Sequence, residues 1–192
     1  MNLQKLSYQD IVQYLLKKYG PAKMDYFTDA SCLKKNAKVS RAAAGLECHH
    51  IDEDKAIQLS RPEIAAQQPF AYQKKDRLVY ANLLEHLILH IKIAEHPSGE
   101  APADQLPGIG GAMILTRMLN DVYSEKELTS ERGIAAKEKV KDNFDDFITA
   151  LRYLSNVIRN DPAYAARCSD EDLALDWNGT TVEKTAAALH ED

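Results

Sequence analysis

Two histidines, His86 and His90, stand four residues apart inside the apolar run NLLEHLILHIKI. On a helix that spacing stacks their rings one turn apart on the same face. Leu84, Leu87, Ile88 and Ile91 form the adjoining apolar face while Glu85 and Lys92 fall on the other side. The helix is therefore expected to lie against a core with both imidazoles at its edge. Neutral imidazole is a good ligand for zinc, nickel and related ions, and this is the spacing that grips one ion. Upstream, a chain with only six histidines sets two more side by side, His49 and His50 in GLECHHIDEDKAIQLS, and His49 can supply a third ligand. Three protein ligands with an open position describe a catalytic site rather than a closed structural one.

The surrounding pattern gives these residues a setting. SYQDIVQYLLKKYG reads as an amphipathic helix, with Ser7 as N-cap, apolar residues at 11, 12, 15 and 16, and Gly20 with Pro21 as the stop. Residues 21–44 are polar and irregular. GLECHHI then reads as a short strand, RPEIAAQQ as a helical turn or two, RLVYA as a second strand, and NLLEHLILHIKIAEH as a helix. The Pro- and Gly-rich stretch 97–112 is the best boundary, and its GIGG lacks the preceding strand and spacing of a dinucleotide fingerprint. It reads as a loop. From Ala112 the chain reads as helical, first AMILTRMLNDVY and then one longer run over residues 131–161, before a tail of short acidic helices. The expectation is an α+β chain, mostly helical, with residues 1–98 as one unit and 99–192 as an acidic helical region.

Charge separates the same two parts. Residues 1–98 carry 14 Lys and Arg against 11 Asp and Glu, whereas residues 99–192 carry 10 against 18. Within the first part, residues 17–41 hold seven basic side chains and two acids, an excess that can lie along a phosphate backbone. The longest apolar segment, LLEHLILHIKI, falls well short of the roughly 20 residues of a membrane span. The first residues also lack the uninterrupted apolar stretch of a signal peptide. A cytoplasmic protein without membrane partners is expected. Cys32, Cys48 and Cys168 form no C-x-x-C pair and read as small buried hydrophobes.

LECHHI followed by RLVYANLLEHLILH resembles the HNH endonuclease motif, the ββα-metal fold of colicin-type nucleases, homing endonucleases and many phage and restriction enzymes. The resemblance is confined to residues 39–93. It implies a ββα-metal core between an N-terminal helix and a C-terminal helical region, and a metal-dependent endonuclease that hydrolyses DNA phosphodiester bonds. It further implies that His49, His86 and His90 are ligands of one divalent ion (Mg²⁺, Mn²⁺, Ni²⁺ or Zn²⁺) and that His50 is the general base. One departure stands out. The family usually places an asparagine about nine residues before the first helical histidine, where it braces the loop carrying the base, and here that position is Arg77. Either another residue, such as Asp76, braces His50, or Arg77 contacts phosphate itself and joins the catalytic residues.

Other assignments compete with this one. Asp52, Glu53 and Asp54 could be read as Mg²⁺ ligands, but a run of acids in a turn is ordinarily a solvated loop. A zinc protease would need H-E-x-x-H, whereas this helix reads E-H-x-x-x-H with Glu85 turned from the ligand face. A non-catalytic module in which zinc only stabilises a nucleic-acid-binding or protein-interaction surface would leave His50 unemployed. A helical interaction protein would bind no stoichiometric metal. Segment 17–41 is the expected DNA-backbone contact, and the acidic half is free to pack on the first part, self-associate or meet a protein partner.

Overall fold

The computed structural model describes residues 3–101 and 105–191, so residues 102–104 of the boundary stretch lie outside the described residues. The described chain is α-rich with one small antiparallel sheet. Its elements are α1 (Tyr8–Tyr19), β1 (Glu47–His50), α2 (Pro62–Ala65), β2 (Leu78–Ala81), α3 (Leu83–Glu95), α4 (Ile109–Tyr123), α5 (Glu131–Val140), α6 (Phe144–Asn160), α7 (Pro162–Ala165), α8 (Asp170–Leu173) and α9 (Glu183–His190). Among the described residues no helix is long and apolar enough to cross a membrane.

Local chemistry explains where these elements begin. Ser7 caps α1 by accepting the Asp10 N–H, and Ile11, Val12 and Leu15 bury one face. β1 and β2 pair with His49 opposite Val79 and His50 opposite Leu78, so the adjacent histidines point to opposite faces of the hairpin. A reciprocal cap starts α3 one residue after β2: the Asn82 side chain accepts the Glu85 N–H (2.8 Å) and the Glu85 carboxylate accepts the Asn82 N–H (2.9 Å). Glu85 also receives Lys18 (2.6 Å) and Tyr19 (2.9 Å), which ties α1 to the head of α3. The hairpin and α3 together form a strand–strand–helix unit.

α3 is buried on nearly every side, not on one face. Leu83, Leu87, Leu89, Ile91 and Ile93 are almost fully enclosed, and Lys92, expected on the solvent side, is buried with its ammonium held by Glu95 (2.9 Å) and Tyr153 (2.6 Å). The reason lies in the second half of the chain, where α4 and α6 pack over the remaining faces and one apolar core runs from α1 through α3 to α6. A smaller cluster of Tyr26, Phe27, Val39, Leu46, Leu78 and Tyr80 anchors the irregular segment 21–46 on the other face of the hairpin.

Two boundaries differ from the sequence expectation. The run 131–161 is two helices, because the turn at residues 141–143 ends α5, with the Asn143 N–H bonded to the Val140 carbonyl (2.9 Å). α4 starts at Ile109, so GIGG contributes its last three residues to the first helical turn. Glycine is a poor helix former, and here close packing outweighs that preference. A Cβ at Gly108 would fall within 3.0 Å of the His90 carbonyl oxygen and the Ala94 nitrogen. A Cβ at Gly111 would fall within 3.0 Å of three atoms of the His90 ring. The acidic tail is latched to α4 by the buried Asn120 amide, which donates to Leu173 (3.0 Å) and Leu175 (2.6 Å) and accepts from Thr185 (2.8 Å).

Candidate metal centre

The hairpin and α3 bring His49, His86 and His90 together. His49 Nδ1 lies 3.1 Å from His86 Nε2, and His86 Nε2 lies 3.2 Å from His90 Nε2. A fourth donor closes the group: a Glu53 carboxylate oxygen stands 3.3 Å from His49 Nδ1 and 3.5 Å from His90 Nε2. All four donor atoms lie within 4.8 Å of one another. Ligands at zinc-like distances of about 2.0–2.1 Å in a tetrahedron are separated by about 3.3–3.4 Å. Four of the six donor separations bracket that edge and the other two are within 4.8 Å, so the donor set is able to hold a single divalent ion. Hydrogen bonding alone does not account for it, since the single in-plane lobe of His86 Nε2 is approached by two other rings at once.

Glu53 corrects the reading of its acidic run as a solvated loop. The chain turns sharply after β1 into a 3-10 turn over Ile51–Asp54, which swings Glu53 back to His49 four residues earlier and leaves its side chain only 14% exposed. Asp52 in the same turn is also buried, gripped by the Arg77 guanidinium through two bonds of 2.7 and 2.5 Å. That clamp spans the start and end of the excursion between the strands. The Arg77 guanidinium is thus engaged by Asp52.

His50 sits on the opposite face of the hairpin, 1% exposed, with its ring 4.4 Å from that of Tyr26. Its Nε2 meets the Gln73 side-chain oxygen at 2.9 Å, while the Gln73 amide nitrogen donates to the Leu59 carbonyl (3.2 Å). Because a carbonyl only accepts, this orients the amide and puts the His50 proton on Nε2, leaving a lone pair on Nδ1. Gln73 therefore braces His50, the role for which the sequence suggested Asp76. Outside the cluster, Tyr8 reaches His49 from the first residue of α1 (2.9 Å). Of the basic segment, Lys18 and Arg41 are engaged by Glu85 and the Tyr19 carbonyl and Lys35 lies on Tyr26, whereas Lys17, Lys23, Lys34 and Lys38 are exposed.

Burial sets the protonation of the site. It holds His49 and His90 well below the ordinary imidazole range, reinforced by neighbouring histidines, and lowers His86 to about 3. His50 is pulled down to about 4 by burial, against the opposing effect of Gln73. The Glu53 carboxyl is pushed up to about 7, again by burial. The imidazoles are neutral at pH 7, as ligation requires.

A pH dependence follows for the metal-free protein. Depressed imidazole values mean that below pH 6.5 the unfolded chain takes up protons the folded chain refuses, so stability is full above that value and is lost on acidification. Glu53 acts in the opposite sense, because its raised value favours the folded state as pH falls from 7 toward 4.5. Four imidazoles oppose one carboxyl, so the net sense is a loss of stability on acidification. Thermal melts in chelator are expected to show a lower Tm at pH 5 than at pH 7, and coincident melts would contradict burial of the neutral rings.

No family model matches the chain, and neither the curated proteins nor the solved structures provide a match.

Proposed function

We propose that the chain is a metal-dependent endonuclease of the HNH type that hydrolyses DNA phosphodiester bonds. The observation that carries this reading is the convergence of His49 from a strand with His86 and His90 from the following helix on one point, in a strand–strand–helix unit. His49, His86 and His90 hold the divalent ion, with Glu53 beside them as a carboxylate able to yield its position to a substrate oxygen. The ion, when bound, supplies Lewis-acid stabilisation of the charge that develops on phosphate and the leaving 3′-oxygen.

In this reading His50 takes the proton of the attacking water at Nδ1, the nitrogen left free by its bond to Gln73. Because the ring is 1% exposed on the face away from the cluster, that step requires the ring to be uncovered when substrate binds. A phosphate brought against the ring raises its basicity toward neutrality, since a nearby negative charge favours the imidazolium. The exposed Lys17, Lys23, Lys34 and Lys38 are the backbone contacts of the DNA, and contacts of this kind are largely blind to sequence. Arg77 acts through Asp52 by holding closed the loop that carries Glu53.

A second reading has its own observation. With Glu53 counted, the cluster offers four protein ligands, the number of a closed structural zinc site. In that case His50 is a core histidine satisfied by Gln73, and the chain is a zinc-stabilised binding module.

Cleavage of supercoiled plasmid separates the two. Metal-stripped protein is re-supplied in turn with Mg²⁺, Mn²⁺, Ni²⁺ and Zn²⁺, beside His50→Ala, His86→Ala and Glu53→Gln variants. The nuclease reading expects metal-dependent nicking that falls by about 100-fold or more in His50→Ala, consistent with loss of a general base, with metal affinity kept. It expects Glu53→Gln to retain cleavage. Stoichiometric zinc without cleavage under any ion would decide for the binding module.

A further inference from the structure

The three imidazoles of the cluster differ in how their outward nitrogens are held. Nδ1 of His86 and Nδ1 of His90 are buried without a hydrogen-bond partner among the described residues. His49 is the exception: its Nε2 lies 2.9 Å from the Tyr8 hydroxyl, which is also 2.9 Å from the Ile51 carbonyl oxygen. A phenol has one hydrogen to give and a carbonyl can only accept, so that hydrogen points at Ile51. The contact with His49 must then run the other way, with Nε2–H donating to the Tyr8 oxygen. An imidazole that carries its proton on Nε2 has its lone pair on Nδ1, and Nδ1 is the atom that faces His86 and Glu53.

We propose that Tyr8 is a positioning residue of the metal centre, which fixes His49 as the Nε2–H tautomer and so presents an unprotonated Nδ1 to the ion. The inference rests on the metal-binding part of the proposed function. Without the hydroxyl, the ring is free to place its proton on Nδ1, where it points into the cluster and has to be displaced before an ion can bind. Outer partners of this kind hold the ring orientation as well as the tautomer, and their removal typically weakens metal affinity roughly 10- to 100-fold. The tie is also long in sequence, since it joins the first turn of α1 to the turn after β1 that carries Glu53.

Two measurements test it. Zinc affinity, by competition with a chromogenic chelator, is compared for the wild type, Tyr8→Phe and Tyr19→Phe. Tyr19 lies on the same helix, its hydroxyl bonds Glu85, and it therefore controls for a general loosening of α1. The expected result is a loss of roughly 10- to 100-fold in Tyr8→Phe and none beyond twofold (about the scatter between preparations) in Tyr19→Phe. Nitrogen-15 imidazole spectra of the metal-free wild type are expected to show His49 as Nε2–H alone, turning to a mixture in Tyr8→Phe. His49 protonated on Nδ1 in the wild type would overturn the inference without recourse to any variant. Equal zinc affinities of wild type and Tyr8→Phe would overturn it while leaving the proposed function standing. A wild type that takes up no zinc, nor any other divalent ion, would defeat both.

Discussion

Replacing His90 by alanine is expected to abolish the response of the protein to divalent ions. The His90 ring is buried between the cluster and the first turn of α4, and its Nε2 is one of four donors that lie within 4.8 Å of one another. Taking one away opens the set and removes a ring against which α4 is packed. Metal affinity is expected to fall by more than about 100-fold, beyond the loss typical of an outer partner. The effect is read as a melt. An ion that binds only the folded chain, supplied at 100 times its Kd, stabilises by about 2.7 kcal/mol. For a chain of this size that is a rise of about 5–10 °C in Tm. The wild type is expected to show that rise with zinc and His90→Ala to show none, and a variant that still rises with zinc would remove His90 from the ligand set.

The second large effect reverses an ordinary sign. Gly110 and Gly111 are neighbours in the first turn of α4, and glycine to alanine in a helix normally stabilises by up to about 1 kcal/mol. Gly110→Ala is expected to do so, because a Cβ there meets nothing within 4 Å. Gly111→Ala is expected to destabilise by about 1–3 kcal/mol, because the added methyl collides with the His90 ring and the pair must move apart. The displaced ring carries Nε2 away from its partners, so zinc affinity falls together with stability. Denaturant melts of the two variants, side by side, check the sign. If both stabilise, the close approach of α4 to His90 is not part of the folded protein.

The histidines were legible because helices and strands have short periods. His86 and His90 share a face by virtue of a spacing of four, and His49 ends a strand whose partner leads directly into their helix. Other parts of the centre had no such signal. Glu53 follows His49 by four residues, but that spacing means proximity only if the chain curls immediately after the strand, and an acidic run resembles a solvated turn. Tyr8 and Gln73 reach their histidines across 41 and 23 residues, through tertiary packing that no local pattern announces. α3 read as one-sided because Lys92 marks a polar face, and only the packing of Tyr153 from α6 shows how that ammonium can be satisfied inside. GIGG read as a loop from its glycines, although the same glycines are what allow α4 to start against α3.

The absent side chains at Gly108 and Gly111 also bear on kinship. Residues on the outer faces of the helices are free to drift, whereas the cluster constrains donors and clearances together. A distant relative that had lost every other likeness would still need a histidine with a carboxylate four residues after it, then a pair of histidines four apart, then two glycines three apart at the head of the next helix. In this chain the pattern runs His49, Glu53, His86, His90, Gly108, Gly111. Common descent is therefore better sought in that sparse register of chemistry and empty space than in overall identity.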